Sequence, residues 1–315
     1  MKKTELYVSL GSSNIVLSVV GSGMVLREPS LVAVEVDSEK ILEWGSKAKK
    51  MQGKSTAGID VFSPIERGII KHKNYAGKLL GLALKKVFGE KLPKKISVHF
   101  ITRIGLTEEE LSDFKQIANE NDIGEVYFEY KPVMALKGSG VNTTNTGAYL
   151  SMTIGGGVTN LAVVSQGKIL NGVSIALGGL DLDSAICEHL YNTYNLEIST
   201  TIAEKIKNYC GSLIAQDTSN MEVMGIDKNT REPKREFIYA CDVRLAVIHF
   251  FEYLTKTMQD FINTLSPDIV ADIFPNGIYL SGGTANLGGL QEYFYEKLNI
   301  VVHSFENPEN NPYLV

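Results

Sequence analysis

Two stretches of this 315-residue chain share one grammar: residues 7–26, YVSLGSSNIVLSVVGSGMVL, and residues 149–170, YLSMTIGGGVTNLAVVSQGKIL. In the first, apolar and β-branched residues from Leu6 to Val20 flank the turn Gly11-Ser12-Ser13-Asn14, and Gly21-Ser22-Gly23 turns again before Met24-Val25-Leu26. That spacing predicts strand, turn, strand, turn, strand. In the second, Tyr149 to Ile154 and Leu161 to Val164 are the expected strands. Gly155-Gly156-Gly157 and Gln166-Gly167 are the turns, and the apolar run from Lys168 to Leu177 follows. A repeated hairpin-plus-strand unit marks an internal duplication. It predicts two lobes built alike, and a length beyond what one hydrophobic core usually organises favours the same division. The boundary is expected near 140, with lobe I at 1–140 and lobe II at 141–315; small subdomains are expected at about 30–67 and 180–249.

Outward from the first repeat, Glu28-Pro29-Ser30 interrupts the strand pattern and Leu31 to Val36 resumes it. Between and after the repeats the period changes to that of helices. Leu79, Leu80, Ala83, Leu84 and Val87 fall on one face of a helix over Asn74 to Phe88. Thr107 followed by Glu110 is a capping box opening a helix to about Asn121. Helices are also expected from Asp181 to Tyr194, Thr200 to Ser212 and Asp242 to Leu265. Strands are expected at Ile96 to Thr102, Glu125 to Tyr130 and Gly277 to Leu280, and the charged stretch Lys228 to Arg235 as a solvated hairpin tip. Alternating strands and helices predict an α/β fold with a sheet inside each lobe.

Three glycine-rich turns each follow an apolar strand: Gly11-Ser12-Ser13, Gly155-Gly156-Gly157 and Ser281-Gly282-Gly283-Thr284. Glycine there lets backbone N–H groups approach an anion with no Cβ in the way. Ser12 and Thr159 are candidate hydroxyl donors. Two such turns in a duplicated context, plus a third near the C-terminus, suggest lobes closing over the phosphates of a nucleotide.

The chain resembles the MreB branch of the actin superfamily over nearly its whole length. Gly23 to Val34, GMVLREPSLVAV, looks like that family's first-lobe hairpin, and Trp44-Gly45 through Gly53 like the helix after it. Pro64 with Gly68-Ile69-Ile70 resembles the return into the main subdomain. Ala203-Glu204-Lys205-Ile206-Lys207 with Gly211-Ser212 matches the nucleoside motif Ala-Glu-Arg-Ile-Lys. Met221 to Gly225 with Pro233 looks like the second-lobe hairpin, and Leu280-Ser281-Gly282-Gly283 like the purine-side turn. The resemblance implies an actin-like duplicated two-lobe fold, with a ribonuclease H-like core in each lobe and ATP or GTP in the interlobe cleft. The implied nucleotide contacts are Gly11, Ser12, Ser13 and Asn14; Gly155, Gly156, Gly157, Val158 and Thr159; Gly178 and Gly179. Further contacts are Glu204, Lys205 and Lys207, then Gly282, Gly283, Thr284 and Ala285. It also implies self-association into head-to-tail protofilaments and co-polymerisation with active MreB paralogues.

The departures from the family pattern concern hydrolysis. The family's first turn follows an aspartate in Asp-Leu-Gly-Thr-Ala-Asn, and here that position is Ser9. The acids that open and close its second turn are Thr153 and Asn160, and the water-orienting Glu-Pro pair is Lys131-Pro132. Phosphoryl transfer needs a divalent cation and a residue placing the nucleophile. Hydroxyls carry no charge for the cation, and a charged lysine cannot take a proton from water. Hydrolysis is expected to be slow or absent and no residue is assigned to Mg2+; Lys131 is expected to substitute in part for the metal at the phosphates, with a solvent-facing Lys131 as the competing reading.

A net charge of −5 argues against nucleic acid as a partner. Cys187, Cys210 and Cys241 lie far apart with no paired spacing, so neither a disulfide framework nor a zinc site is expected. The N-terminus lacks a signal-peptide h-region, and no apolar run nears the roughly 20 residues that span a bilayer. A cytoplasmic protein is expected. Phe88 and Leu92, set among Lys85, Lys86, Lys91, Lys94 and Lys95, are the candidates for peripheral membrane contact; a buried Phe88 in a solvated lysine loop is the competing reading. After Pro308 the family continues with a helix that packs on the first lobe. Here Asn310 to Val315 follows instead, and the expectation is either a weakened first lobe or a surface freed for a partner. A small-molecule kinase of the same fold and a nucleotide-free structural homologue are the alternative functions.

Overall fold

The computed structural model describes residues 4–54, 56–93 and 95–314. The first lobe opens with β1 (Thr4–Leu10), β2 (Asn14–Val19) and β3 (Gly23–Pro29). There follow β4 (Val32–Glu35), β5 (Lys40–Trp44), α1 (Ser46–Met51), β6 (Ile59–Phe62), β7 (Ile65–Glu66) and β8 (Ile69–Ile70). It closes with α2 (Lys73–Phe88), β9 (Ile96–Thr102), α3 (Glu108–Asn119), β10 (Glu125–Tyr130) and α4 (Lys131–Gly138). The second lobe has β11 (Tyr149–Ile154), β12 (Thr159–Ser165), β13 (Lys168–Ile175), α5 (Gly179–Thr193), β14 (Leu196–Glu197) and α6 (Thr200–Cys210). Then come β15 (Asn220–Asp227), β16 (Pro233–Tyr239), α7 (Ala240–Asn263), α8 (Pro267–Asn276), β17 (Ile278–Ser281), α9 (Leu290–Leu298) and β18 (Val302–His303).

The duplication read from the repeats is present strand for strand. One sheet runs β3-β2-β1-β9-β10 and the other β13-β12-β11-β17-β18, so each lobe has the order third, second, first, fourth, fifth. In both, two antiparallel hairpins supply three strands, and two parallel strands are added beside the first. Parallel neighbours need crossovers, and the helices between them cover the sheets. Among the described residues, small sheets of β5-β4-β6 and β14-β15-β16 stand apart from the two large ones.

Each sheet carries its own core. Leu6, Val8, Leu10, Ile15 and Leu17 pack against Ala76, Leu79, Leu80, Ala83 and Leu84 of α2, and Phe114 and Ile117 of α3. Leu150, Met152, Ile154, Leu161 and Val163 join Leu182, Ile186, Val247 and Phe251 from α5 and α7. The opposite faces meet α4. Met134 sits with Val16 and Ile101 of the first sheet, and Val133 and Leu136 with Ala162 and Val164 of the second. This shared helix explains why β1, β2, β11 and β12 read as nearly continuous apolar runs: both of their faces are covered.

Several expected elements shift, for local reasons. The Thr107 capping box is present: the Thr107 N–H donates to Glu110 Oε2 at 2.7 Å and the Glu110 N–H to Thr107 Oγ1 at 3.2 Å. Its helix stops at Asn119. α5 begins at Gly179, α6 ends at Cys210, and α7 spans Ala240–Asn263. β3 continues through Pro29, which an edge strand tolerates. In the charged hairpin, Pro233, Lys234 and Arg235 already belong to β16, so the tip is 228–232.

The turn Asn311–Tyr313 lies against α4, and Asn311, Pro312 and Tyr313 are buried. Phe88 and Leu92 are half-buried against the first-lobe core, while Lys85, Lys86, Lys91 and Lys95 are exposed. Lys94 lies outside the described residues. Among the described residues no helix is long and apolar enough to cross a membrane.

Candidate functional site: the cleft between the hairpin loops

The first hairpin of each lobe ends in the same turn. The Gly11 N–H donates to the Asn14 carbonyl at 3.0 Å, and the Gly155 N–H donates to the Val158 carbonyl at 2.9 Å. Between these anchors lie Ser12-Ser13 in one lobe and Gly156-Gly157 in the other, and the two loops face each other. A Cβ on Gly156 would fall 1.9 Å from Ser13 Oγ and 2.7 Å from Ser13 Cβ. One on Gly157 would fall 2.6 Å from Ser12 Oγ. These glycines are therefore required by the opposite lobe's serine side chains, a reason not visible in the sequence. Ser12 Oγ in turn accepts from the Gly68 N–H at 3.3 Å.

The N-terminus of α5 rests on the second loop. The Gly179 N–H donates to the Gly155 carbonyl at 2.9 Å and the Leu180 N–H to the Gly156 carbonyl at 2.8 Å. Gly178 sits beneath, where a Cβ would meet the Gly155 carbonyl at 2.4 Å. Gly282 adopts φ 93°, and its Cβ would lie 2.3 Å from the Ile154 carbonyl. Thus the third glycine turn is packed directly on the end of β11.

Between the lobes is a cavity of about 410 Å³, within the range of small-molecule sites. Ser9, Gly11, Ser12, Ser13, Asn14 and Lys131 line its first-lobe wall. Gly155, Gly156, Gly157, Val158, Asn160 and Gly179 line the second-lobe wall, and Glu204, Lys207, Gly282, Gly283 and Thr284 complete it. Four of the expected contacts, and the replaced position Thr153, lie outside the cavity lining. Thr159 is buried and donates to the Leu177 carbonyl at 2.9 Å, so its hydroxyl is committed. Gly178 lies under the loop, Lys205 is exposed away from the lining, and Ala285 is buried in the second-lobe core. Thr153 is fully buried and shares a hydrogen bond of 2.9 Å with Ser281 Oγ.

Cations and carboxylates alternate around the cavity. Arg27, Arg103, Lys131 and Lys207 line the cavity. Lys207 donates to the Gly179 carbonyl at 2.8 Å and lies 2.7 Å from Asp183 Oδ1. Burial pushes the Asp183 carboxyl above its ordinary value, against the pull of Lys207. Glu204, the expected ribose contact, is ion-paired with Lys49 of α1 across the lobes.

Residues that would hold a resident magnesium ion do not fit one. The Ser9 hydroxyl accepts from the Tyr313 hydroxyl at 3.4 Å, and Asn160 Oδ1 accepts from Ser174 Oγ at 2.7 Å and the Ile104 N–H at 3.3 Å. The lining carboxylates Asp183, Glu204 and Glu309 each face a cation: Lys207, Lys49 and Arg27. Among the described residues, no three His, Cys, Asp or Glu side chains gather into a metal-binding group.

Sequence reading missed the straps across the cleft. Arg67, at the left-handed φ of 50°, reaches Asp181 with both guanidinium nitrogens, Nη2 to Oδ1 at 2.7 Å. Burial raises the Asp181 carboxyl, but Arg67 and the Gly178 N–H outweigh it and leave it below the ordinary value. Thr201 Oγ1 donates to Gln52 Oε1 at 3.3 Å, adding a neutral contact beside Lys49–Glu204. No local pattern signals these pairs, because their partners are more than a hundred residues apart.

Two ribonuclease H-like lobes of one strand order, joined through α4 and enclosing a cavity between facing hairpin turns, define the actin-like class. A family model described as MreB/Mbl protein matches residues 3–312, and the chain belongs to that family. It is 27% identical over 305 residues to the cell shape-determining protein Mbl of Bacillus subtilis, covering 96% of this chain and 92% of that protein. It is 26% identical over 314 residues to the cell shape-determining protein MreB of Escherichia coli, covering 98% and 90%. The crystal structure of MreB5 of Spiroplasma citri bound to ADP superposes with a TM-score of 0.94 at 28% identity, covering 99% of this chain and 94% of that one. A MamK double helical filament shares the fold, with a TM-score of 0.82 at 17% identity, covering 99% and 98%.

Proposed function

We propose that this chain is a nucleotide-binding, actin-like cell-shape filament subunit that hydrolyses its nucleotide weakly or not at all. The observation that carries the reading is the cavity itself, framed by hairpin turns of both lobes and lined by Lys131, Lys207 and Arg27. MreB5 of Spiroplasma citri, alike over 99% of this chain, is described bound to AMPPNP and to ADP. ATP is the proposed nucleotide, with GTP the competitor to test. Without carboxylates at Ser9, Thr153 and Asn160, and with a cation at Lys131, little remains to hold a metal or place a water. The chain self-associates into protofilaments and co-polymerises with hydrolysing paralogues, which it modulates. It works in the cytoplasm, and any membrane contact falls to the exposed lysines near Lys91, since Phe88 and Leu92 pack inward.

Three measurements on the full chain test this together: titration calorimetry with ATP and GTP, phosphate release, and pelleting with negative-stain microscopy. Nucleotide uptake, filaments and negligible phosphate release are expected. Brisk magnesium-dependent turnover overturns the hydrolysis part. A persistent monomer that phosphorylates a metabolite overturns the whole in favour of a kinase.

A further inference from the structure

We infer that the C-terminal turn is a working part of the cavity: Tyr313 is a positioning residue that holds Lys131 at the cavity wall, so that the phosphates of a nucleoside di- or triphosphate are bound without a divalent cation. The inference rests on the nucleotide-binding reading and adds to it a residue and a metal requirement.

Tyr313 stands 182 residues from Lys131 and 304 from Ser9 in the chain, yet the three meet. The Lys131 ammonium lies 5.6 Å from the Tyr313 ring centroid, and the Tyr313 hydroxyl donates to Ser9 Oγ at 3.4 Å. The ring packs on Val16, Ile101 and Met134 and is only 7% exposed. Ser9, Lys131, Tyr313 and Arg27 all line the cavity. Arg27 also donates to Asn310 Oδ1 at 2.8 Å, which ties a second cation to the same turn.

The turn is fixed to α4, the helix that Lys131 opens. Asn311 Nδ2 donates to Ser139 Oγ at 3.1 Å. Gly138 leaves the space in which the Asn311 carbonyl lies, 1.8 Å from where a Cβ would be. Ring and ammonium are thus held to one rigid element, and an aromatic face favours a cation placed over it. Lysine at this wall delivers a point charge, arginine a planar fork, and together they supply charge that a magnesium ion would otherwise bring. Glu309, just before the turn, is engaged by Arg27 at 4.0 Å and accepts from Asn286 Nδ2 at 2.8 Å.

The test is titration calorimetry of the full chain with ATP, ADP and adenosine, in EDTA and in magnesium. Wild type is expected to bind ATP within about threefold in the two media, and Tyr313→Leu to weaken ATP in EDTA about tenfold, the scale of one charge-assisted contact. Adenosine binding stays unchanged, which a general loss of fold would not allow. Tyr313→Phe keeps the ring and stays near wild type. Lys131→Met repeats the Tyr313→Leu loss, and the double variant adds nothing further, as expected for residues acting as one unit. Strictly magnesium-dependent ATP binding by wild type overturns the inference while leaving the nucleotide reading intact. So does a wild-type result for Tyr313→Leu beside a weakened Lys131→Met. No ATP or ADP binding in either medium overturns both readings.

Discussion

The first-lobe loop Ser12-Ser13 and the second-lobe loop Gly156-Gly157 descend from one repeated unit and end in the same closing hydrogen bond, yet only one of them keeps side chains. The difference is complementary. Serine Cβ and Oγ atoms of one loop occupy the space that the glycines of the other leave open. A duplicated fold that closes on itself cannot keep both copies of its turn identical. Two bulky loops would collide, and two bare ones would leave a gap.

The sharpest way to break this complementarity is Gly156→Ala, whose new Cβ would overlap Ser13 Cβ. It is expected to cost about 2–3 kcal/mol in urea denaturation, as overpacking at a tight contact does. Ser13→Gly in the same chain restores most of that loss. An additive result, with no rescue, would separate the loops.

A middle effect comes from the strap beside the second loop. Asp181→Asn should cost about 0.5–1 kcal/mol, since Arg67 is part-exposed and solvent screens the pair. The folded Asp181 carboxyl lies below its ordinary value, so the pair contributes fully above pH of about 4, the unfolded value. The contribution fades as pH falls from there through the folded value. The wild-type advantage over Asp181→Asn should shrink along that path, and an advantage constant down to pH 2 would remove the pair from the account.

The smallest expected effect is at Lys49→Met, which frees Glu204. With both side chains about one-third exposed, stability should change by only a few tenths of a kcal/mol. ATP affinity should rise if Glu204 then turns to the ribose; an unchanged affinity would mean that Glu204 is already available to it.

Much of the fold was legible because it is local. The alternation in residues 7–26 and 149–170 specifies hairpins, and the spacing in α2 and the Thr107–Glu110 box specify helices. α4 was missed because Pro132 to Leu136 are all buried, so the helix has no polar face to mark its period. Of the cavity, glycine loops and the Lys131 position could be read, since turns and single residue types carry their meaning in sequence. Thr159, Gly178, Lys205 and Ala285 lie outside the cavity lining, because a motif names neighbours along the chain and not the direction in which each residue points.

By itself the sequence determined the duplication and the family pattern, and it put Ser9, Thr153, Asn160 and Lys131 where the resemblance implies acids. Strand period and turn chemistry act over a few residues and survive without any knowledge of packing. Only the tertiary structure decided that Gly156 answers Ser13, that Arg67 meets Asp181, and that Tyr313 closes on Lys131 and Ser9. Those contacts join residues from 114 to 304 positions apart, and what brings them together is the burial of both sheets against one shared helix.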